Sequence, residues 1–352
     1  MRRLVVLFCF LSIYCHSQSE QPYRIRSIAF YNVENLFDTT NDTLIFDDER
    51  TPTGAYGWTQ ERYQRKIANI SRVLSEIGKE TTGTSPDIIG LCEVENKKVI
   101  NDLVAHVNLR SKNYGIVHHD SPDERGIDVA LLYKKNVFLP HSFNNHRLLL
   151  FDEDSNRDYS RDQLVVGGML DNEEFHFIVN HWPSRSGGEA KSRPNRIQAA
   201  HLNKRIIDSI LRLKPSAKII SMGDFNDDPR NDSFKKVLKT VGKKRLLDST
   251  GLFNPMERLF KKGVGSLAYR DKWNLFDQFF FTANLLSDRR ETYSFWKVGV
   301  FDPDYLKNKS GPYRGYPFRT YVGTTYHGGY ADHFPVYLFL VKASPNPSKG
   351  GE

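Results

Sequence analysis

Cysteine is scarce: the chain of 352 residues holds three, and two of them, Cys9 and Cys15, fall in the first stretch, Met1 to Ser17. Only Cys92 stands in the body of the chain. An intramolecular disulfide and a multi-cysteine zinc site are thereby excluded there, and Cys92 reads as a small core residue. Beyond Ser17 no apolar run is long enough to cross a bilayer, and no Cys/His spacing has the pattern of zinc ligands. Dense Lys/Arg runs, internal repeats and a linker that would divide the chain are also missing. Nothing calls for an obligate protein partner.

What is present begins with an address. Arg2 and Arg3 precede the apolar run Leu4 to Tyr14, and small and polar residues follow (His16, Ser17, Gln18), the layout of a secretory leader. The expected division is a signal peptide over 1–17, one domain over 24–343 and a flexible tail over 344–352. The expected destination is the periplasm or the extracellular space. Lipidation of Cys15 is the competing reading, weakened by the bulk of Tyr14. Losing Arg2 and Arg3 with the leader takes the net charge from +8 to +6. That excess suits a phosphorylated or polyanionic substrate and equally suits a solvated basic surface.

The body is organised around Ile219 to Asp227. An apolar run ends at Gly223, and Asp224 and Asn226 follow two apart, on one face of an extended chain. Alone this is an ordinary polar turn. The same grammar recurs at Asn32-Val33-Glu34-Asn35, Glu93-Val94-Glu95-Asn96, Asn180-His181, Asp277 and Asp332-His333. Six apolar strands thus carry Asn, Asp, Glu or His at one end, which points to a single polar site at the rim of stacked sheets.

Between these ends lie helices. Thr59 caps one, Trp58 and Tyr63 staple it, and Ile67, Ile70, Val73, Leu74 and Ile77 form its apolar face. A second runs from Lys97 to Val107, a long one follows Asn195, and a short one covers Asp232 to Val241. Residues 126–133 read as a strand with Asp128 as its odd polar member, a carboxylate that either orients His181 or bonds backbone. Residues 302–330, rich in Tyr, Gly, Pro, Lys and Arg, read as a long ordered loop near the site.

In order, Asn32 to Asp38 (NVENLFD), Cys92 to Asn96 (CEVEN), Asn180 to Ser184 (NHWPS), Gly223 to Asp227 (GDFND), Phe276 to Phe279 (FDQF) and Asp332 to Val336 (DHFPV) resemble the motifs of the endonuclease/exonuclease/phosphatase superfamily, whose members include deoxyribonuclease I. The Thr-Pro-x-Gly loop and the Trp58 to Tyr63 stretch are similar to its secreted bacterial branch. The resemblance implies an α/β fold, a four-layer sandwich of two mixed β-sheets flanked by helices. It also implies hydrolysis of a phosphoester by water with a divalent cation, Mg²⁺ or Mn²⁺.

By the same resemblance, Glu93, Asn32 and Asp332 are the expected metal ligands, an oxygen-only set suited to a hard cation. His333 is held by Asp277, Asp224 and Asn226 orient and deprotonate the water, and His181 donates to a phosphate oxygen or to the leaving group. Glu34, Glu95 and Asp128 are expected to support these residues. Arg125, Arg185, Arg193, Arg196 and Arg319 are candidates to clamp phosphate.

Two substrate classes follow. A nuclease on DNA or RNA draws on the basic charge and on the aromatic loop. A phosphatase or phosphodiesterase on a lipid head group, inositol phosphate or sugar phosphate draws on the missing DNA-binding insertion. A catalytically silent binding module is the third reading, disfavoured because every matched position keeps a competent side chain.

Overall fold

The computed structural model describes residues 23–344. The leader, with Cys9 and Cys15, and tail residues 345–352 lie outside them. The strands and helices follow from alternation and amphipathic periodicity. In order they are β1 (Tyr23–Leu36), α1 (Gln60–Glu76), the single turn α2 (Lys79–Thr82), β2 (Ile88–Val94), α3 (Lys97–Ala105), β3 (Tyr114–His118), β4 (Asp128–Lys134) and β5 (Phe138–His146). Next come the small hairpin β6 (Leu150–Phe151) and β7 (Arg157–Asp158), β8 (Gln163–Leu170), β9 (Glu173–His181), α4 (Glu189–Leu213) and β10 (Lys218–Asp224). The chain ends with β11 (Leu252–Phe253), α5 (Met256–Phe260), β12 (Leu267–Tyr269), β13 (Lys272–Asn274), β14 (Asp277–Thr282), β15 (Ser294–Val300), β16 (Tyr321–Val322), β17 (Thr325–Tyr326) and β18 (Val336–Ala343).

Two six-stranded sheets form, in the orders β15-β18-β1-β2-β4-β3 and β11-β14-β10-β9-β8-β5. Each is mixed, because β1 with β2 and β9 with β10 are parallel while their neighbours are antiparallel. Alternation along β1 shows how they stack. Ile28 and Phe30 point between the sheets, against Ile220, Met222 and Phe279. Ala29 and Tyr31 point outward, under Ile70, Val73 and Leu74 of α1 and Val99 and Leu103 of α3. On the far side Ile178, Ile219 and Phe280 lie under Ala199, Ile206 and Ile207 of α4. The layers are therefore helix, sheet, sheet, helix, and central strands buried on both faces read as continuous apolar runs. Each fully buried Phe, Ile or Leu contributes about 1.5–3 kcal/mol. Cys92 is one of these core residues, buried and free.

Two expectations shift. The helix expected beyond Asn195 starts earlier, at Glu189, and carries Pro194 inside. Ser192 Oγ and the Arg196 guanidinium take up the carbonyls of Gly188 and Glu189 in that opening stretch. The short helix expected over residues 232–241 is a single π-helical turn, Ser233–Val237. Residues 302–330 form an ordered loop that includes β16–β17. Several of its rings pack inward, Tyr321 buried against Tyr56 and Trp58 and Tyr305 bonded to Glu76 at 2.6 Å, while Tyr313 is half exposed.

Candidate active site

The polar residues meet because of strand direction. The parallel pairs deliver Asn32 and Glu93 from one sheet and His181 and Asp224 from the other at their carboxyl ends, where open α/β sheets place ligands. The antiparallel neighbours run the opposite way, so β14 starts at this rim with Asp277, and β18 starts there just after Asp332 and His333. Register fixes the rest: Asp224 sits opposite both His181 and Asp277. Bulges turn the other carboxylates inward. Glu34, Asn35, Glu93 and Asn226 all hold positive φ, between 50° and 61°. Each costs roughly 1–2 kcal/mol for a residue with a Cβ.

Asp224 is the hub. Its Oδ2 accepts the Asn32 amide at 3.1 Å and lies 3.8 Å from Nε2 of both His181 and His333. Its Oδ1 accepts the backbone N–H of Asn226 at 2.9 Å. The Asn226 side-chain NH₂ donates to Trp182 O at 3.0 Å, leaving the amide oxygen for another donor. Asn32 Nδ2 also reaches Glu93 Oε1 at 3.1 Å, and Glu93 Oε2 accepts Asn35 N–H at 2.9 Å.

The two imidazoles differ in charge. Burial, the nearby Arg161 and Arg125 and the His333 cation hold His181 far below the usual histidine range, so it is neutral. Its Nε2 faces two carboxylates and therefore carries the proton, while Nδ1 is buried without a partner. Burial opposes charge on His333 as well, yet Asp277 and Asp224 outweigh it and raise that imidazole well above its usual range. The bond from His333 Nδ1 to Asp277 Oδ2 is 2.6 Å, and Ser266 Oγ donates to the same oxygen at 2.5 Å. Burial, with Asp277 adding and His333 opposing, pushes Asp224 up to about 7.

A second group of carboxylates surrounds Glu93. Glu34 is buried, its pKa raised by burial and by Asp332, and it accepts Arg319 at 3.2 Å and Thr320 N–H at 2.6 Å. Arg319 also donates to Asp332 at 2.9 Å. Lys66, buried in α1, lies 3.8 Å from Glu34 and donates to Thr320 Oγ1 and Tyr330 O. Burial lowers its pKa to about 8. Lys66, Arg161 and Ser266 escaped the sequence reading. Lys66 did leave a signal, as the one charge on the apolar stripe of α1, between Tyr63 and Ile70.

Two groups have the composition of a metal site among the described residues. Asp224, Asp277 and His333 bring ligand atoms within 4.8 Å of one another, but a charged imidazolium has no lone pair to offer. His118, Asp120 and Asp128 form the other, in which His118 already bonds Asp128 at 3.1 Å. Glu93 and Asp332, the expected ligands, are carboxylates 16% and 31% exposed, hard-oxygen donors of the type a divalent cation takes, and Asp332 is shared with Arg319. Asn32, the third expected ligand, lies beside Glu93. Its carbonyl oxygen accepts Glu34 N–H at 3.0 Å and its NH₂ faces Glu93 and Asp224, which makes it a donor between two carboxylates.

Other expected residues separate. Asp128 bonds His118 Nε2 and Ser121, and so does not orient His181. Glu95 receives Asp38 N–H at 2.5 Å, away from the imidazoles, and burial with Asp38, Asp47 and Asp42 nearby pushes it up to about 8. Arg196 is wholly buried and donates to Asp227 at 2.7 Å, so it cannot clamp a substrate. Arg193 pairs with Glu189 one helical turn away. Arg185 braces the loop after β10 through Asn226 O at 2.8 Å. Arg125, half exposed beside Asp123, and Arg319 at the carboxylates stay open to a ligand.

No curated protein matches the sequence significantly. Solved structures share the fold. A Bacteroides thetaiotaomicron endonuclease/exonuclease/phosphatase family protein superposes with TM-score 0.54 at 17% identity, covering 95% of this chain and 99% of that one. A mannosyl-6-phosphatase from the same organism gives 0.53 at 16%, covering 90% and 99%. D. rerio TDP2 complexed with a single-strand DNA product gives 0.52 at 15%, covering 90% and 98%. The family model described as Endonuclease/Exonuclease/phosphatase family matches residues 27–342. The motifs at the strand ends, the four-layer fold and this match agree: the chain belongs to the endonuclease/exonuclease/phosphatase family.

Proposed function

We propose that this chain hydrolyses a phosphoester by attack of water, with Glu93 and Asp332 holding a divalent cation, Mg²⁺ or Mn²⁺. The observation that carries the reading is the Asp224 carboxylate between one neutral and one cationic imidazole, each 3.8 Å away. Enzymes of this family typically use a divalent metal. Bound, it neutralises phosphoryl charge and stabilises the leaving oxygen. The rest falls to side chains. Asp224, with a pKa near 7, accepts the proton of a water that the Asn226 amide oxygen orients. His333, kept cationic by Asp277, faces the phosphoryl oxygens. His181 offers a neutral Nε2–H to a phosphoryl or leaving oxygen. Asn32 keeps Glu93 and Asp224 aligned, and Arg125 and Arg319 supply forked donors.

The substrate is a small phosphoester. Rings such as Tyr305 and Tyr321 of the 302–330 loop serve the fold, which leaves Tyr313 as its exposed ring, and a carboxylate-walled cavity is lined by Arg125 and by Arg161, the partner of the His181 carbonyl. The mannosyl-6-phosphatase neighbour accords with this. The basic excess of the chain, and the TDP2 structure with a DNA product, favour a second reading as a nuclease. The leader assigns either enzyme to export, in the manner of the secreted bacterial branch.

The deciding experiment offers protein starting at Gln18 a panel of small phosphoesters and supercoiled plasmid, with Mg²⁺, Mn²⁺ or chelator, and His333→Ala as the contamination control. Expected is metal-dependent hydrolysis of small esters that varies little with salt, with intact plasmid. Plasmid nicking that His333→Ala abolishes and moderate salt suppresses would establish the nuclease instead.

A further inference from the structure

A cavity of about 910 Å³ that the steps above leave unused is lined at one end by Arg125 and by Arg161, whose guanidinium bonds the His181 carbonyl. It is bounded by β6, β7 and residues 159–161 on one side and by the segment from Pro183 to Asn195 on the other. Its lining reverses the sign of the chain: five carboxylates against three cations, in a protein of net charge +8. Two of the cations have carboxylate partners, and Arg125 stays half exposed. Arg161 bonds Asp123 at 2.8 Å and the carbonyls of His181 and Trp182, and Lys191 sits 3.8 Å from Glu153. Arg125 shares Asp123, and it and Arg161 are the cations that depress His181. The cavity is therefore positive at its Arg125 and Arg161 end and rich in acceptors at its far wall.

That wall is built. Asn195 donates to Asp158 at 3.2 Å, tying the hairpin to α4, and Asp152 closes the hairpin turn through Asp154 N and Asn156 N. Phe151 and Tyr159 lie on it 60% and 44% exposed. Arg157 lies 5.4 Å from both ring centroids. Carboxylates only accept hydrogen bonds, so the wall matches a group rich in hydroxyl donors. A second phosphate there would meet like charge. Exposed aromatic rings suit the apolar face of a sugar ring.

We propose that this cavity is the leaving-group subsite and that it takes an uncharged, polyhydroxylated ring, a sugar esterified to the phosphate, with hydroxyls donated to the Asp158 side and one face on Tyr159. This rests on the small-phosphoester reading. It names hexose and pentose phosphates over polyphosphorylated compounds and polynucleotides.

The test compares kcat and KM on glucose 6-phosphate, mannose 6-phosphate, ribose 5-phosphate, glycerol phosphate and fructose 1,6-bisphosphate, for wild type, Tyr159→Ala and the double variant Glu153→Lys/Asp154→Lys. Wild type should prefer the sugar monophosphates to glycerol phosphate by about tenfold in kcat/KM. Tyr159→Ala should remove that preference through KM. The charge reversal should favour the bisphosphate by about tenfold. Both altered sites are exposed, so the core stays intact. Equal turnover of all esters by wild type, or a loss in Tyr159→Ala shared by every ester, overturns the subsite and leaves the small-phosphoester reading standing. Hydrolysis of no small ester under any metal overturns that reading. Calorimetry with free glucose, mannose and ribose on wild type and Tyr159→Ala then judges the cavity by itself: sugar binding that Tyr159→Ala loses supports it, and no wild-type binding overturns it.

Discussion

In one sheet β1 and β2 run parallel through α1, with β18 antiparallel beside them. In the other β9 and β10 run parallel through α4, with β14 antiparallel beside them. The same backbone plan thus occurs twice, and both copies end at one rim. Their loads differ. The first sheet brings Glu34, Glu93 and Asp332, offset by the cations Lys66 and Arg319. The second brings His181, Asp224 and Asp277, buried with no lysine or arginine bonded to their side chains. Two links join them, Asn32 to Asp224 and His333 to Asp277. Topology decides which residues meet, and the counter-charges around them decide protonation.

The division is broken most directly by removing one carboxylate from each rim. Glu93→Gln and Asp224→Asn should each lower kcat/KM by about a thousandfold or more. Only Glu93→Gln should raise the metal concentration needed for half-maximal rate. A raised metal requirement in Asp224→Asn, with none in Glu93→Gln, would place the cation on the other sheet.

A smaller effect tests the bridging pair. Asp277 favours the His333 cation, so its loss lets the imidazole deprotonate at lower pH. In Asp277→Asn the alkaline limb of the pH–rate profile should move to lower pH, with about a hundredfold loss near pH 8. His181→Asn should leave that limb in place, because His181 is neutral already. Equal displacement in both variants would mean that the two imidazoles titrate as one unit.

Much of this was legible from strand ends, because a polar residue closing an apolar run is visible without coordinates. Stapled α1 was legible too, from Trp58, Tyr63 and its apolar period. Edge strands were not: β5 is mostly exposed and contains Pro140, and β15 is only partly covered, so neither shows a buried run. Arg196 misled because burial of an arginine depends on a partner, Asp227, that only the fold brings near. The direction of the Asn32 amide was not legible, because a side-chain amide can face either way and its neighbours choose.

Lys66 sharpens the contrast on the stability side. It ties α1 to the 302–330 loop beside Glu34, and Lys66→Met should cost about 3 kcal/mol by leaving Glu34, Thr320 Oγ1 and Tyr330 O short of a partner. Its folded pKa of about 8 lies below the ordinary lysine value of 10.5, so the unfolded chain binds more protons between them. The Lys66 contribution to stability should rise through that window by about 1 kcal/mol per pH unit. Urea melts of wild type and Lys66→Met from pH 7.5 to 10 should diverge. A constant gap would mean that the amine is charged in the fold throughout.

The smallest effect asks where the rim stops doing chemistry. Asp128 opens β4, the antiparallel neighbour of β2, at the same rim one strand beyond Glu93. It is buried, and burial raises its pKa while His118 and Ser121 oppose that rise. Its bonds to His118 and Ser121 leave His181 Nδ1 without a partner. Asp128→Asn should therefore cost about 1 kcal/mol in a denaturant melt, with kcat/KM within about twofold of wild type. A loss of tenfold or more at unchanged stability would extend the catalytic rim to β4 and make the orientation of His181 depend on it.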